Sequence, residues 1–206
     1  MSGRSDEDPA GWWSRTARLT GLAPPETWIS PKIEVRVSLV HGNGTFAIAA
    51  IAAGESVQVW GQRWQGSLTA EYTADAGRAA LAARRGLVVM QWDEELYSIE
   101  RAGGDPGYFI NHACDPALWF ADAFTLHARR PMRPGEEVSL DYALFEADES
   151  FRASWECRCG AACCRGLITG RDWTMAELQR RYAGRFTPLL NKRIAALSAD
   201  RVAATT

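Results

Sequence analysis

A chain of 206 residues, 47% of them hydrophobic, is sized for one compact domain with appendages and holds enough apolar material for an ordinary core. The formal net charge of -2 and a pI near 6.0 leave no basic field over the chain, which argues against nucleic-acid binding through bulk charge. No run is long and apolar enough to span a membrane. The N-terminus, Met1-Ser2-Gly3-Arg4-Ser5-Asp6-Glu7-Asp8, lacks the apolar stretch of a secretory signal, so an intracellular setting is expected, cytoplasmic or, in a eukaryote, nuclear.

The first residues, 1–30, read as a Pro-punctuated extension pinned by Trp12, Trp13 or Trp28. Most of the nine tryptophans are expected in packing. Ile33-Glu34-Val35-Arg36-Val37 alternates apolar and polar residues as a half-buried strand does. His41-Gly42-Asn43-Gly44 is a turn, after which Thr45 to Ala49 and Ser56 to Trp60 resume strand character. Ala74 to Arg85, closed by Gly86, suggests a helix with a glycine C-cap. Leu87 to Trp92 and Glu95 to Ile99 look like further strands, and Arg101 to Gly107 is a loop. An apolar, partly aromatic stretch covers Leu118 to Ala128, and Glu137 to Tyr142 alternates as a strand. The tail turns helical: Thr174-Met175-Ala176-Glu177 is a capping box, Leu178 and Tyr182 share a face, and Gly184 ends the helix. Thr187 as N-cap and Pro188 at N1 begin a second helix, with Leu190, Ile194 and Leu197 along one side.

The five cysteines carry the strongest chemical signal. Cys157-Arg158-Cys159 with a third thiol four or five residues on, and Cys114 arriving from a distant polar loop, is metal-site spacing rather than a disulfide framework. Four thiolates suit tetrahedral zinc. Spacing alone leaves Cys163 and Cys164 as alternatives; a set of free buried thiols is the competing reading, and the CxC with a nearby third Cys favours zinc over it. Such a clip would tie the segment after Tyr142 back to the Asn111 loop.

Other residues have plain readings when taken singly. Gly42 and Gly44 suit a hairpin turn, Asn111 a loop residue bonding its own backbone, His112 a structural histidine, and Tyr142 a core tyrosine at a strand end. Glu136 and Glu137 read as a solvated turn without a role. Arg129-Arg130, Arg180-Arg181 and Lys192-Arg193 name no partner; the last two read as solvated helix faces.

Taken together, four blocks in order resemble the SET-domain family of protein-lysine methyltransferases. Gly42-Asn43-Gly44-Thr45-Phe46-Ala47 with Gly54-Glu55 is similar to the opening of SET domains. Tyr108-Phe109-Ile110-Asn111-His112-Ala113-Cys114-Asp115-Pro116 resembles their NHxCxP motif, and Gly135-Glu136-Glu137 through Asp141-Tyr142 their GEE-to-DY segment. Cys157, Cys159 and Cys164-Arg165-Gly166 resemble a post-SET module. The resemblance implies a mainly β fold with some α: small curved sheets, a knot-like crossing, a post-SET zinc loop and C-terminal helices. It divides the chain into an extension (1–30), a SET catalytic domain (31–142), a post-SET module (143–170) and a helical tail (171–206).

The resemblance also implies S-adenosyl-L-methionine as cofactor and structural Zn2+ held by Cys114, Cys157, Cys159 and Cys164. Gly42, Asn43 and Gly44 would approach the cofactor through backbone. Asn111 and His112 would hold it, and Tyr142 would be the catalytic hydroxyl. Trp155 would lie over the adenine, with plain packing an equal alternative. Trp60, Tyr97, Tyr108, Phe109 and Leu140 are candidates for a lysine channel. The expected partner is a protein with a target lysine, histone-like proteins being one class; no nucleic acid and no membrane is expected. Three positions depart from the family pattern: Ala117 stands where Asn is frequent, Trp60 where Tyr precedes the glycine, and Leu140 where Phe or Tyr is common. A non-catalytic binding module and a small-amine methyltransferase are the competing readings.

Overall fold

The computed structural model describes residues 24, 26–61, 63–64, 67–68, 71–73, 87–94, 96–101, 103 and 105–203. The expected helix over 74–85 and the anchoring residues Trp12 and Trp13 lie outside the described residues. Among those described, strands dominate and helices gather at the C-terminal end.

In chain order the strands begin with β1 (Trp28–Ile29), β2 (Ile33–Val37), β3 (Asn43–Ala47) and β4 (Ser56–Val59). Short pieces follow: β5 (Arg63–Trp64), β6 (Ser67–Leu68) and β7 (Glu71–Thr73). Next come β8 (Leu87–Asp93), β9 (Leu96–Arg101), β10 (Asn111–His112), β11 (Leu118–Phe120), β12 (Thr125–Ala128) and β13 (Glu137–Leu140). Two four-stranded sheets run in the orders β1-β4-β12-β11 and β10-β13-β3-β2, a third sheet is β7-β9-β8, and β5-β6 is a separate pair. Each strand is short because turn residues interrupt the alternation, as Gly54 with φ +79° does before β4 and Gly135 with φ +89° before β13.

One pairing positions the site. β10 lies parallel to β13, with Asn111 opposite Ser139 and His112 opposite Leu140. β13 in turn runs antiparallel to β3, Val138 facing Thr45. Asn111-His112 and the end of β13, far apart in sequence, are thereby set side by side, and the glycine-bearing strand β3 flanks them.

The core fills from alternating strand positions. Leu126 and Ala128 of β12, Leu118 and Phe120 of β11, and Val138 and Leu140 of β13 are buried. Two helices close it: α1 (Ala176–Arg181) contributes Leu178, and α2 (Pro188–Ala203) contributes Leu189 and Leu190, with Ile194 and Leu197 packed alongside. The apolar stripes expected in the tail therefore face the core.

Several local expectations change. The turn before β3 closes earlier than expected, so the strand covers Asn43–Ala47 rather than Thr45 to Ala49. β13 stops at Leu140, and Asp141 caps a 3-10 turn over Tyr142–Leu144 through its side chain. The capping box at Thr174 does not form: Met175 is the N-cap of α1, and the Thr174 hydroxyl donates to the Arg171 carbonyl at 2.8 Å. α1 ends at Arg181, before Gly184. Pro188 does open α2, but the Thr187 hydroxyl is buried without a hydrogen-bond partner; its backbone N–H instead donates to Leu144 at 2.9 Å and fastens α2 to the 3-10 turn. Lys192 and Arg193 are not a free solvated face. Arg193 pairs with Glu94 at 2.6 Å and donates to the Ala147 carbonyl at 2.9 Å, and Lys192 reaches Asp93 at 3.4 Å.

Candidate active site and metal centre

The cysteines converge as expected. The sulfurs of Cys114, Cys157, Cys159 and Cys164 all lie within 4.8 Å of one another, and Cys114 and Cys157 are 3.9 Å apart. A tetrahedron with Zn–S of ~2.3 Å has S–S edges of ~3.8 Å, so the set fits one zinc ion with small adjustments. Its acid–base character fits too. Burial pushes the Cys157 thiol up to about 11 and raises Cys114 as well. Burial also opposes ionisation of Cys159, but hydrogen bonds from the backbone at Ala161 and Cys114 and from neighbouring thiols bring it down to about 7. Four clustered thiols do not all ionise unaided; a bound dication deprotonates them outright. Cys163, the fifth cysteine, stands apart from the set and lies 3.2 Å from the Arg181 guanidinium.

His112 joins this cluster to Tyr142. Its ring is fully buried, and Nδ1 accepts the backbone N–H of Tyr142 at 3.2 Å. The proton of the neutral ring therefore sits on Nε2, which donates to the Cys114 sulfur at 3.3 Å. Burial dominates its titration and lowers the pKa to about 4, although Asp141 lies 3.7 Å from Nδ1. His112 is thus a neutral brace, and only its backbone is left to meet a ligand. A ring held neutral while the unfolded chain titrates near ~6.5 contributes stability above that pH, lost as pH falls through about 4. Nitrogen NMR at pH 5.5 is expected to find protonated Nε2 and bare Nδ1; an imidazolium at that pH would contradict the brace.

Tyr142 packs among His112, Phe145 and Trp155, with ring centroids 5.2, 5.3 and 6.4 Å away. Its hydroxyl donates to the Ile110 carbonyl at 3.3 Å. Burial, with the Tyr108 phenol and the Glu146 carboxylate nearby, raises its pKa to about 12, so it stays a phenol at any physiological pH.

Asn111 works on the opposite side. Its Nδ2 donates to the carbonyls of His41 at 3.2 Å and Asn43 at 3.0 Å, and to Glu137 at 2.7 Å. Glu137 also accepts from the Ser38 hydroxyl at 2.9 Å. The glycines serve this arrangement differently. Gly42 supplies a φ of +49°, with open space where a side chain would stand. A Cβ at Gly44 would collide with the Glu137 carboxylate, so its bareness admits protein rather than a ligand. Glu137, expected to be a solvated residue without a role, is the anchor of this loop. His41 faces Trp155 at 5.6 Å, and Trp155 lies 6.0 Å from His112.

The channel candidates scatter. Tyr108 is exposed and meets Phe109 edge-on at 5.0 Å, beside Tyr142. Leu140 is buried next to His112 across the β10–β13 pairing. Trp60 stacks on Phe120 at 6.0 Å and packs in a cluster with Trp92 and Phe124. Tyr97 is buried in the three-stranded sheet, opposite Tyr72 in the β7–β9 pairing. Asp141, Arg165, Asp172 and Tyr182 form a buried polar network behind Tyr142 that no local pattern marks as a site: Asp141 and Arg165 stand only within motif blocks, and Tyr182 only on a helix face. Arg165 was visible only as the residue after Cys164.

Residues 42–143 match a family model described as SET domain. A "Histone-lysine N-methyltransferase, H3 lysine-4 specific" of Cryptococcus neoformans var. neoformans is 30% identical over 149 residues, which cover 64% of this chain and 9% of that protein. "Histone-lysine N-methyltransferase Su(var)3-9" of Drosophila pseudoobscura pseudoobscura is 34% identical over 90 residues, 35% of this chain and 14% of its own. "Histone-lysine N-methyltransferase SUV39H2" of Gallus gallus is 26% identical over 136 residues, 50% of this chain and 33% of its own. The chain thus spans a third or less of the length of these relatives. The crystal structure of the methyltransferase domain of human SETMAR is similar in fold, with a TM-score of 0.52 at 17% identity, over 68% of this chain and 58% of that one.

Proposed function

The chain belongs to the SET-domain family, and from that premise we propose that it is a protein-lysine methyltransferase using S-adenosyl-L-methionine, with residues 143–170 acting as a zinc-closed post-SET module. The observation that carries the reading is the junction at His112. One ring joins the cysteine cluster to the backbone of Tyr142, and Asn111 beside it holds the glycine turn.

S-adenosylmethionine, when bound, supplies a methyl group on a cationic sulfur. The residues present suit such a ligand. Half-buried Trp155 and exposed His41 offer ring faces for a base, and the turn around Gly42 has open space. His112 contributes backbone only, since its ring is engaged. Tyr142 commits its proton to the Ile110 carbonyl, so its oxygen turns lone pairs toward the reacting region. A phenol with a pKa of about 12 does not act as the base at neutral pH. The target lysine, with a free pKa of ~10.4, must shed its proton to solvent on entering a desolvated slot. The edge-on pair of Phe109 and exposed Tyr108 supports a slot built from these two rings, whereas the packing of Trp60 and the burial of Tyr97 favour a core role for them. The substrate is a lysine in a protein, histone-like proteins being first in line because the relatives' names specify histone lysine.

Calorimetry on zinc-loaded protein is expected to show binding of about one S-adenosylmethionine per chain, and lysine-peptide arrays to show labelled methyl transfer. No cofactor binding would sink the enzyme reading. Binding without transfer to any lysine-bearing protein, histones included, would leave a non-catalytic module.

A further inference from the structure

Of the residues behind Tyr142, Arg165, Asp172 and Tyr182 lie outside the SET match over residues 42–143, and Asp141 lies inside it. Asp141, which precedes Tyr142, is fully buried, and its Oδ1 accepts the Ala143 N–H at 3.0 Å to cap the 3-10 turn that holds Tyr142. Arg165 grips the same carboxylate with both terminal nitrogens, at 2.8 and 2.6 Å. Its Nε donates to Asp172 at 2.9 Å, and its backbone N–H donates to the Cys114 sulfur at 3.3 Å. From α1's end, the Tyr182 hydroxyl reaches Asp141 at 3.2 Å and the Cys114 carbonyl at 3.4 Å. Arg181 donates to that carbonyl as well, at 3.2 Å.

Arg165 is therefore bonded at once to a metal-ligand sulfur and to the carboxylate adjoining Tyr142. We infer that Arg165 and Tyr182 are positioning residues that fix the Tyr142 hydroxyl through Asp141 and couple closure of the cysteine cluster to its alignment. The inference rests on the methyltransferase reading for its kinetic arm only.

The geometry makes this more than a staple. A bidentate guanidinium sets the plane of the carboxylate, and the carboxylate caps the turn whose first residue is Tyr142. Lysine keeps the charge but offers a single point donor, so it does not hold Asp141 and Asp172 together in that plane. An offset of about 1 Å at a reacting group is enough to lower a rate by ~10²-fold.

The test uses the full zinc-loaded chain with Arg165→Lys and Tyr182→Phe, each checked for zinc content. Tyrosine side chains carry a carbon-13 label at the hydroxyl-bearing position, and the Tyr142 signal is assigned with Tyr142→Phe. In Arg165→Lys the Tyr142 signal is expected to move while those of tyrosines remote from the network stay put. Its kcat should fall at least tenfold with KM for S-adenosylmethionine within threefold. Tyr182→Phe should shift the same signal less and lower kcat about threefold. An unmoved Tyr142 signal and unchanged kcat, even with faster zinc release to a chelator, would make the network purely structural and overturn the inference. If Arg165→Lys loses its zinc, Tyr182→Phe decides by the same readouts. If the native chain methylates no lysine, the functional reading falls, and the Tyr142 signal alone decides whether Arg165 and Tyr182 position that side chain.

Discussion

Replacing Cys157 by Ser is expected to empty the metal site and unfold the segment from Phe151 to Ile168, while the sheet core stays assembled. Cys157 and Cys114 are the buried members of the four-sulfur set, so a serine there loses a thiolate and gains a buried hydroxyl. Apart from the Arg165 ion pairs with Asp141 and Asp172, the segment has little else to hold it. Its own apolar centre consists of Cys114, Cys157 and Ile168 as buried residues, with Tyr142, Phe151 and Trp155 partly buried against them. Full burial of one Ile side chain contributes about 2 kcal/mol. Ordering backbone costs about 1–2 kcal/mol per residue, so burial alone does not hold a segment of this length. A structural zinc ion contributes about 10 kcal/mol or more in small modules, comparable with the whole stability of ~5–15 kcal/mol of a domain. Metal analysis should fall from about one zinc per chain to near zero. Hydrogen exchange should speed up at the amides of Cys157 and Ala153, which donate to Gly166 at 2.6 Å and Ile168 at 3.0 Å. Equal protection in the zinc-free variant would show that the cysteines pack without a metal. Because Arg165 lies inside the same segment, cofactor turnover should vanish along with the metal.

What the sequence disclosed, and what it hid, follows from the range of each interaction. The cysteine set was legible because thiol spacing is chemical information carried in the chain itself; only Cys114 had to be brought in from afar. The same holds for β13, whose alternation over Glu137 to Leu140 survives folding intact. Glu137 was misjudged because its partner Asn111 lies 26 residues away, joined through a β10–β13 pairing that no local pattern announces. Asp141 and Arg165 escaped for the same reason, being 24 residues apart with no shared element. Charged residues default to solvent in a sequence reading, and Arg165, Arg181 and Arg193 all depart from that default by bonding carbonyls or carboxylates next to the site and core. The capping box failed because Thr174 already sits in a 3-10 turn, where its hydroxyl finds Arg171 first. Trp60 and Tyr97 qualified as channel residues by type, but aromatic side chains are also the cheapest way to fill the gaps between small sheets.

Tyr142→Phe is expected to lower methyl transfer about 10²-fold, or ~2.7 kcal/mol of transition-state stabilisation, while leaving the fold in place. Structural cost is small because the ring keeps its neighbours His112, Phe145 and Trp155, and only the bond to the Ile110 carbonyl is lost. Such a bond contributes about 1 kcal/mol to stability. The kinetic loss should be larger because the phenol oxygen is fixed in a site where water is scarce, so its lone pairs need no reorganisation as charge moves from sulfur to nitrogen. Calorimetry should show S-adenosylmethionine affinity within threefold of native, placing the loss in turnover rather than binding. The pH profile separates the role of acceptor from that of base. A phenol with a pKa of about 12 leaves no limb of its own below that pH, so the rise in kcat with pH should be the same in both proteins and follow the lysine. A limb that disappears in Tyr142→Phe would make the tyrosine a base, and unchanged turnover would remove it from the active centre altogether.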